Sequence, residues 1–313
     1  MRIIREPGVQ IKTPAQLAVM WRAGQVVAAA LEAAAAAAAP GVATAELDGI
    51  ARELIASAGA APSFLGYHGY PATICTSVND EIVHGIPSTS RVLREGDVIS
   101  IDCGASVDGW HADAALTVGV GAISAELTKL IADCERALWQ GIAAARPGAH
   151  LSDISHAVER SVRMAGAYGI VEDYVGHGIG TEMHMDPPVP NYGKPGRGPV
   201  LLAGMALAIE PLLVLGGPDT RLLADDWTVV SEDGGWSAHF EHTVAVTADG
   251  PWVLTTSAPP RAGVLTEAAA PGGAGAGRDD ADGTGTGGAG GEAGAPGGII
   301  VGAAAPARPR PAG

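Results

Sequence analysis

The longest apolar run in the chain, VVAAALEAAAAAAA at 26–39, consists largely of alanine, the best helix former, and is interrupted by Glu32. It predicts a helix of a soluble protein and falls short of a bilayer span. TPAQ announces the start: Thr13 is placed to cap, Pro14 fits the first helical position, and Gln16 completes a capping box. The helix should stop before Pro40. A second is expected near Thr44, with Glu46 in its first turn favouring the dipole, and Ser124 and Ser152 are expected to cap two more. Other apolar segments read as strands. DVISIDCGASVDGWHADAALTV (97–118) predicts a hairpin around Asp108-Gly109, while MALAIEPLLVL and SAHFEHTVAV each set a glutamate, Glu210 and Glu241, inside an apolar strand.

The helical pattern repeats. APGVATAELDGIARELIASAGA (39–60) aligns with RPGAHLSDISHAVERSVRMAGA (146–167) at a constant offset of 107 residues, Pro40 to Pro147, with a shared Pro-Gly start and a shared Ala-Gly-Ala exit. Duplication predicts two similar halves, each a helix pair followed by strands. The implied class is α+β, with helices on one side of a mostly antiparallel sheet.

Composition then narrows the field. The 313 residues, 47% hydrophobic, suffice for a large core, and a net charge of −15 with a pI near 4.9 argues against a nucleic-acid-binding surface. Three cysteines, Cys75, Cys103 and Cys134, without a C-x-x-C pair fit a reducing compartment, and MRIIREPGVQIKTP is unlike a secretory signal, so the cytoplasm is expected. From about Arg261 the chain is Gly/Ala-rich and should form a disordered tail, leaving a folded unit at 1–260 and a Gly/Ala/Pro-rich tail at 261–313.

The chemistry concentrates in acids and histidines. A two-residue turn at 108–109 puts Asp102 and Asp113 diagonally on one hairpin face, roughly 7–8 Å apart at Cα. Asp102 lies among Val98, Ile99, Ile101 and Cys103, where an unpaired charge is costly. Shifting Asp102 by the repeat offset lands beside Glu210. Four buried acids need cations, and an oxygen-rich set with one histidine suits Mn, Fe or Co and a two-metal cluster. GHGIGTEMHMDPP (176–188) offers His177 and His184, seven positions apart and unlike the H-E-x-x-H of a zinc-protease helix. Taken alone, that stretch leaves open metal ligands, acid/base groups and polar turn residues.

Together, NDEIVHGIP, IDCGASVDGWHAD, GHGIGTEMHMDPP, AIEP and FEHTVAVT resemble, in order and separation, the type I methionine aminopeptidases. The resemblance runs from IKTPAQLAVMWRAG to EHTVAVTADG and implies the pita-bread fold, whose pseudo-twofold symmetry agrees with the repeat. It implies two divalent metal ions on Asp102, Asp113, His177, Glu210 and Glu241, with Asp113 and Glu241 bridging. A hydroxide held between the ions would attack the peptide carbonyl while Glu210 handles its proton. His184 would stabilise the oxyanion and His84 contact the scissile amide. Tyr67, Tyr70, Cys75 and Trp227, with Phe64 and Met183, would wall a methionine pocket, where sulfur-aromatic contacts add to burial.

The expected activity is removal of the initiator methionine from nascent polypeptide N-termini with a small second residue, by a monomer. No nucleic-acid or membrane partner is expected. A ribosome contact would suit such an enzyme but draws no support from the acidic composition. His68, His111, His156, His239 and His242 are expected to be structural or solvent-facing. Met185 and Asp186 follow His184 where many relatives carry glutamates, and neither position is a ligand in the family.

Overall fold

The computed structural model describes residues 8–256; the expected tail and the 260/261 boundary lie outside them. Helix α1 (Pro14–Ala37) begins as its sequence predicts. Thr13 Oγ1 accepts from the Gln16 amide, and the Gln16 side chain accepts from the Thr13 amide at 2.8 Å. Helix α2 (Thr44–Ser57) opens with Glu46 accepting from the Ala43 amide. After strands β1 (Ala61–Pro62), β2 (Ile74–Val78), β3 (Glu81–Val83), β4 (Val98–Val107) and β5 (Trp110–Gly119) comes a second helix pair, α3 (Ala125–Ala144) and α4 (Leu151–Ala165). Ser124 caps α3 as expected. Ser152 does not cap α4. The cap is His150, two residues earlier, Asp153 accepts from the His150 amide, and Ser152 instead accepts from the Arg197 amide of a facing loop.

The second half continues with β6 (Gly169–Ile170), β7 (Gly176–Gly178), β8 (Met185–Val189), β9 (Ala206–Ile209) and β10 (Leu212–Val214). It ends with β11 (Thr220–Leu222), β12 (Val229–Ser231), β13 (Ser237–His239), β14 (Glu241–Thr247) and β15 (Gly250–Val253). One antiparallel sheet carries most of these in the order β1-β4-β5-β14-β9-β7-β8, with β2 also on β4 and β15 on β14. Two smaller sheets, β13-β10-β6 and β11-β12-β3, complete the fold.

The β4–β5 hairpin has the expected register. Val107 pairs with Trp110 across Asp108 and Gly109, both at positive φ as a tight right-twisted turn requires, and Gly104 pairs with Asp113. Side-chain alternation then sorts the sheet into two faces. Ile99, Ile101, Cys103 and Ala105 of β4, with Ala112 and Ala114 of β5, are buried under α1 and α2. In the other half Leu207 and Ile209 of β9, with Val244 and Val246 of β14, lie under α3 and α4. Each fully buried aliphatic side chain contributes about 1.5–3 kcal/mol. Helix α1 is thus a core helix, its alanines 23, 30 and 34 wholly buried against the sheet. The opposite face is left for chemistry.

Candidate metal centre and binding pocket

On that free face a pocket of about 610 Å³, its open mouth included, is lined by all thirteen residues singled out in the sequence. Asp102 and Asp113 reach it from β4 and β5 as diagonal neighbours, since Asp102 pairs with Ala115 and Gly104 with Asp113. Glu241 pairs with Ala115 from the other side, so one row of the sheet carries Asp102 and Glu241 on either flank of a small residue. Gly104 clears space above the row: a Cβ there would lie 2.8 Å from Cε1 of Phe64.

Glu210 departs from its expected place inside a strand. It lies between β9 and β10, where the chain passes from the large sheet to a small one, and Glu241 follows the same passage in reverse, from β13 to β14. The thiol of Cys134 on α3 sits against both passages, 3.3 Å from the carbonyls of Pro211 and Ala238. The two glutamates therefore project from paired bends, which explains their convergence better than a sequence offset does.

His177 stands in β7, between β9 and β8. Its Nδ1 donates to the Gly178 carbonyl at 3.0 Å, which leaves Nε2 as a lone-pair donor 3.5 Å from Glu210 Oε1. The flanking glycines serve the neighbouring strands rather than the cluster. A Cβ at Gly176 would meet the Ala208 carbonyl at 2.3 Å, and one at Gly178 the Asp186 carbonyl at 2.1 Å. The His184 ring lies 4.3 Å from that of His177, with Nδ1 2.9 Å from the Tyr67 hydroxyl. His84, at φ 61°, packs edge-on against Tyr174 and Trp227.

Beside the polar floor, Phe64, Tyr70, Cys75 and Met183 form a buried apolar cluster with Tyr67 and Trp227 against it. The Tyr70 hydroxyl donates to the carbonyls of Ile74 and Gly85, which fixes the ring edge-on to Trp227 at 5.0 Å. Phenol, thiol and thioether thus border a slot ending at the carboxylates.

Electrostatics describe a site waiting for positive charge. Burial pushes Asp102 up to about 7 and, with help from the charge of Asp102, Glu210 up to about 8. Burial and then the neighbouring acids drive Asp113 and Glu241 well above the carboxylate range. Burial also lowers His84 and His177 to about 4 and, with neighbouring imidazoles, His184 to about 2. Among the buried side-chain atoms left without any hydrogen bond are Oδ1 of Asp102, Oδ1 of Asp113 and Oε1 of Glu241. Orphaned carboxylate oxygens beside a free imidazole nitrogen fit divalent cations, and two groups of donors lie close enough to share one: Asp113, His177 and Glu241, and Glu210, His239 and Glu241.

His239 is the residue that sequence reasoning missed. Expected as structural or solvent-facing, it is 2% exposed and lines the pocket with Val83, Tyr174 and Val175. The signal was its spacing from Glu241, two residues along an extended segment and so on the same face. The other four histidines expected to be structural or solvent-facing stay outside the pocket, as His150 does: His68 leans on Tyr67, His111 bonds Ser63, His156 the Gly193 carbonyl, and His242 Thr255.

Known proteins agree with this picture. A profile of metallopeptidase family M24 matches residues 18–248. Methionine aminopeptidase 1 of Mycobacterium tuberculosis is 56% identical over 249 residues, 78% of this chain and 94% of the relative. The Bacillus subtilis protein of the same name is 49% identical over 244 residues, 78% of this chain and 98% of the relative. The crystal structure of a Thermotoga maritima methionine aminopeptidase superimposes with a TM-score of 0.78 at 40% identity, covering 79% of this chain and 99% of that one. A Pyrococcus furiosus prolidase, 22% identical with a TM-score of 0.63 over 80% of this chain and 66% of its own, shares the fold. The pita-bread architecture expected from the sequence is therefore present, and the chain belongs to metallopeptidase family M24.

Proposed function

We propose that the protein is a methionine aminopeptidase that removes the N-terminal methionine from nascent polypeptides whose second residue is small. The observation that carries this reading is the convergence of Asp102, Asp113, His177, Glu210 and Glu241 at the end of a slot walled by Tyr67, Tyr70, Cys75 and Trp227. Relatives named for that activity cover the same span of chain. The cellular setting we propose is a monomer in the cytoplasm, with the peptidase unit ending at residue 260 and the 261–313 tail dispensable for turnover.

The four acids and the imidazole would hold two divalent ions, Mn, Fe or Co by the mixture of oxygen and nitrogen donors. Bound there, such ions supply an acidified water and polarise the peptide carbonyl. The chain's own side chains do the rest. Glu210, 3.5 Å from His177 Nε2 at the end of the slot, takes the proton of the attacking water and returns it to the departing amine. His184, oriented by the Tyr67 hydroxyl, stabilises the charge that develops on the carbonyl oxygen. His84, held by Tyr174 and Trp227, contacts the scissile amide. Tyr70, Cys75, Trp227, Phe64 and Met183 bury the methionine side chain and exclude water from it.

Met-Ala-Ser is the discriminating substrate. Purified protein supplied with Mn2+ or Co2+ should release methionine from it, lose activity on chelation, and leave an Xaa-Pro peptide intact. Absence of turnover with every divalent metal, or preference for Xaa-Pro, would overturn the assignment. Deleting 261–313 should leave the rate on Met-Ala-Ser unchanged.

A further inference from the structure

We infer that His239 is a second imidazole ligand of the metal centre, holding a divalent cation together with Glu210 and Glu241. The inference rests on the dinuclear reading above and adds a donor to it. His239 is 2% exposed, and its Nε2 has no hydrogen-bond partner although the ring lines a pocket full of acceptors. Leaving a buried ring nitrogen unmatched is costly. The nearest acceptors do not relieve it: Oε2 of Glu210 and Oε2 of Glu241 are each 3.9 Å away, too far for hydrogen bonds. That spacing suits donors sharing one ion, because two ligand atoms on arms of roughly 2.1 Å lie roughly 3–4 Å apart. His177 Nε2 and Glu210 Oε1, at 3.5 Å, have the same relation.

The position of His239 is fixed by its backbone. Its amide donates to Thr117 Oγ1 at 2.9 Å, and the same hydroxyl donates to its carbonyl at 2.7 Å. Thr117 in turn meets Ser100 Oγ at 2.9 Å, so strands β4, β5 and β13 are tied at this point. Two donor groups each contain an imidazole, His177 with Asp113 and Glu241 and His239 with Glu210 and Glu241, and Glu241 is common to both. A centre with two imidazoles favours later transition ions over Mn2+ more than one with a single imidazole does.

The test counts ligated imidazoles directly. In the Co2+-loaded full-length protein, each histidine bound through Nε2 gives one exchangeable, paramagnetically shifted Nδ1–H proton resonance. Two such resonances are expected, with one lost in His239→Gln and the other in His177→Ala. Calorimetric titration of His239→Gln should show at least tenfold weaker Co2+ binding at one position, with a smaller change for Mn2+. A single shifted resonance in the unsubstituted protein, or a His239→Gln protein that keeps both resonances and full Co2+ affinity, would overturn the inference. The count in the unsubstituted protein decides the matter even where a variant fails to fold. A protein that binds no divalent ion at all would instead overturn the dinuclear reading itself.

Discussion

His177 and His184 have rings 4.3 Å apart yet opposite expected behaviour, and the difference lies in what each Nδ1 touches. That of His177 is spent on a backbone carbonyl, so its Nε2 is free to bind a cation; that of His184 meets the Tyr67 hydroxyl on the substrate side. His177→Ala should therefore abolish binding of at least one equivalent of Mn2+ in elemental analysis of the dialysed protein. His184→Ala should retain both equivalents while lowering kcat by about 10²–10³. Equal loss of metal in both variants would contradict the division of roles. Glu210→Gln is the companion case: on the proposed mechanism it keeps the shape of the side chain but loses both the proton-exchanging group and a charged ligand, with an expected loss of about 10²–10⁴ in kcat at saturating Mn2+.

Among the elements, β7 has little tolerance, since a side chain at Gly178 would meet the Asp186 carbonyl of β8 at 2.1 Å. Gly178→Ala should force the two strands apart, destabilise the protein by about 1–3 kcal/mol in thermal unfolding, and weaken Mn2+ binding by displacing His177. The elements also mark how far the sequence could be read. Asp108-Gly109 fixes the β4–β5 turn locally, so the facing of Asp102 and Asp113 followed from counting residues. Thr13 and Gln16 specify their helix start in the same local way, whereas Ser152 misled because Asp153 binds the His150 amide three residues before it, which fixes the start there and leaves Ser152 inside the first turn. Glu210 and His239 were misplaced for a longer-range reason. Each borders a passage between two sheets, at 210–211 and 239–240, and beyond the two-residue spacing of His239 from Glu241 nothing in the apolar runs around them shows which strands they will pair with. The binding of Cys134 to those passages was equally invisible, being a contact between α3 and residues 77 and 104 positions away.

For the molecule as a whole, the buried site couples folding to pH in a way that cations should reverse. Burial lowers His84, His177 and His242 to about 4, His239 to about 3 and His184 to about 2, so below their ordinary 6.5 the unfolded chain binds protons the folded one refuses, which destabilises the fold in acid. The raised carboxylates act in the opposite sense: from about 4 upward the unfolded chain releases protons that Asp102 and Glu210 retain until about 7 and 8. Over the acid range the two sets offset one another. Above 6.5 only the carboxylates remain, the folded state holds more protons, and stability must fall as pH rises to about 8. In chelator the melting temperature should drop by roughly 2–5 °C across that interval, and saturating Mn2+ should remove most of the drop. A melting temperature that rises across the same interval in chelator would contradict the cause assigned here. The two-sided sheet carries a further consequence for how such a chain can change. Ile99, Ile101 and Cys103 alternate with Ser100, Asp102 and Gly104 on β4, so slipping one additional residue into it would turn greasy side chains toward the pocket and Asp102 toward the helices, spoiling core and chemistry in one event. Length variation is survivable only where the chain reverses, as at 108–109, or in steps of two.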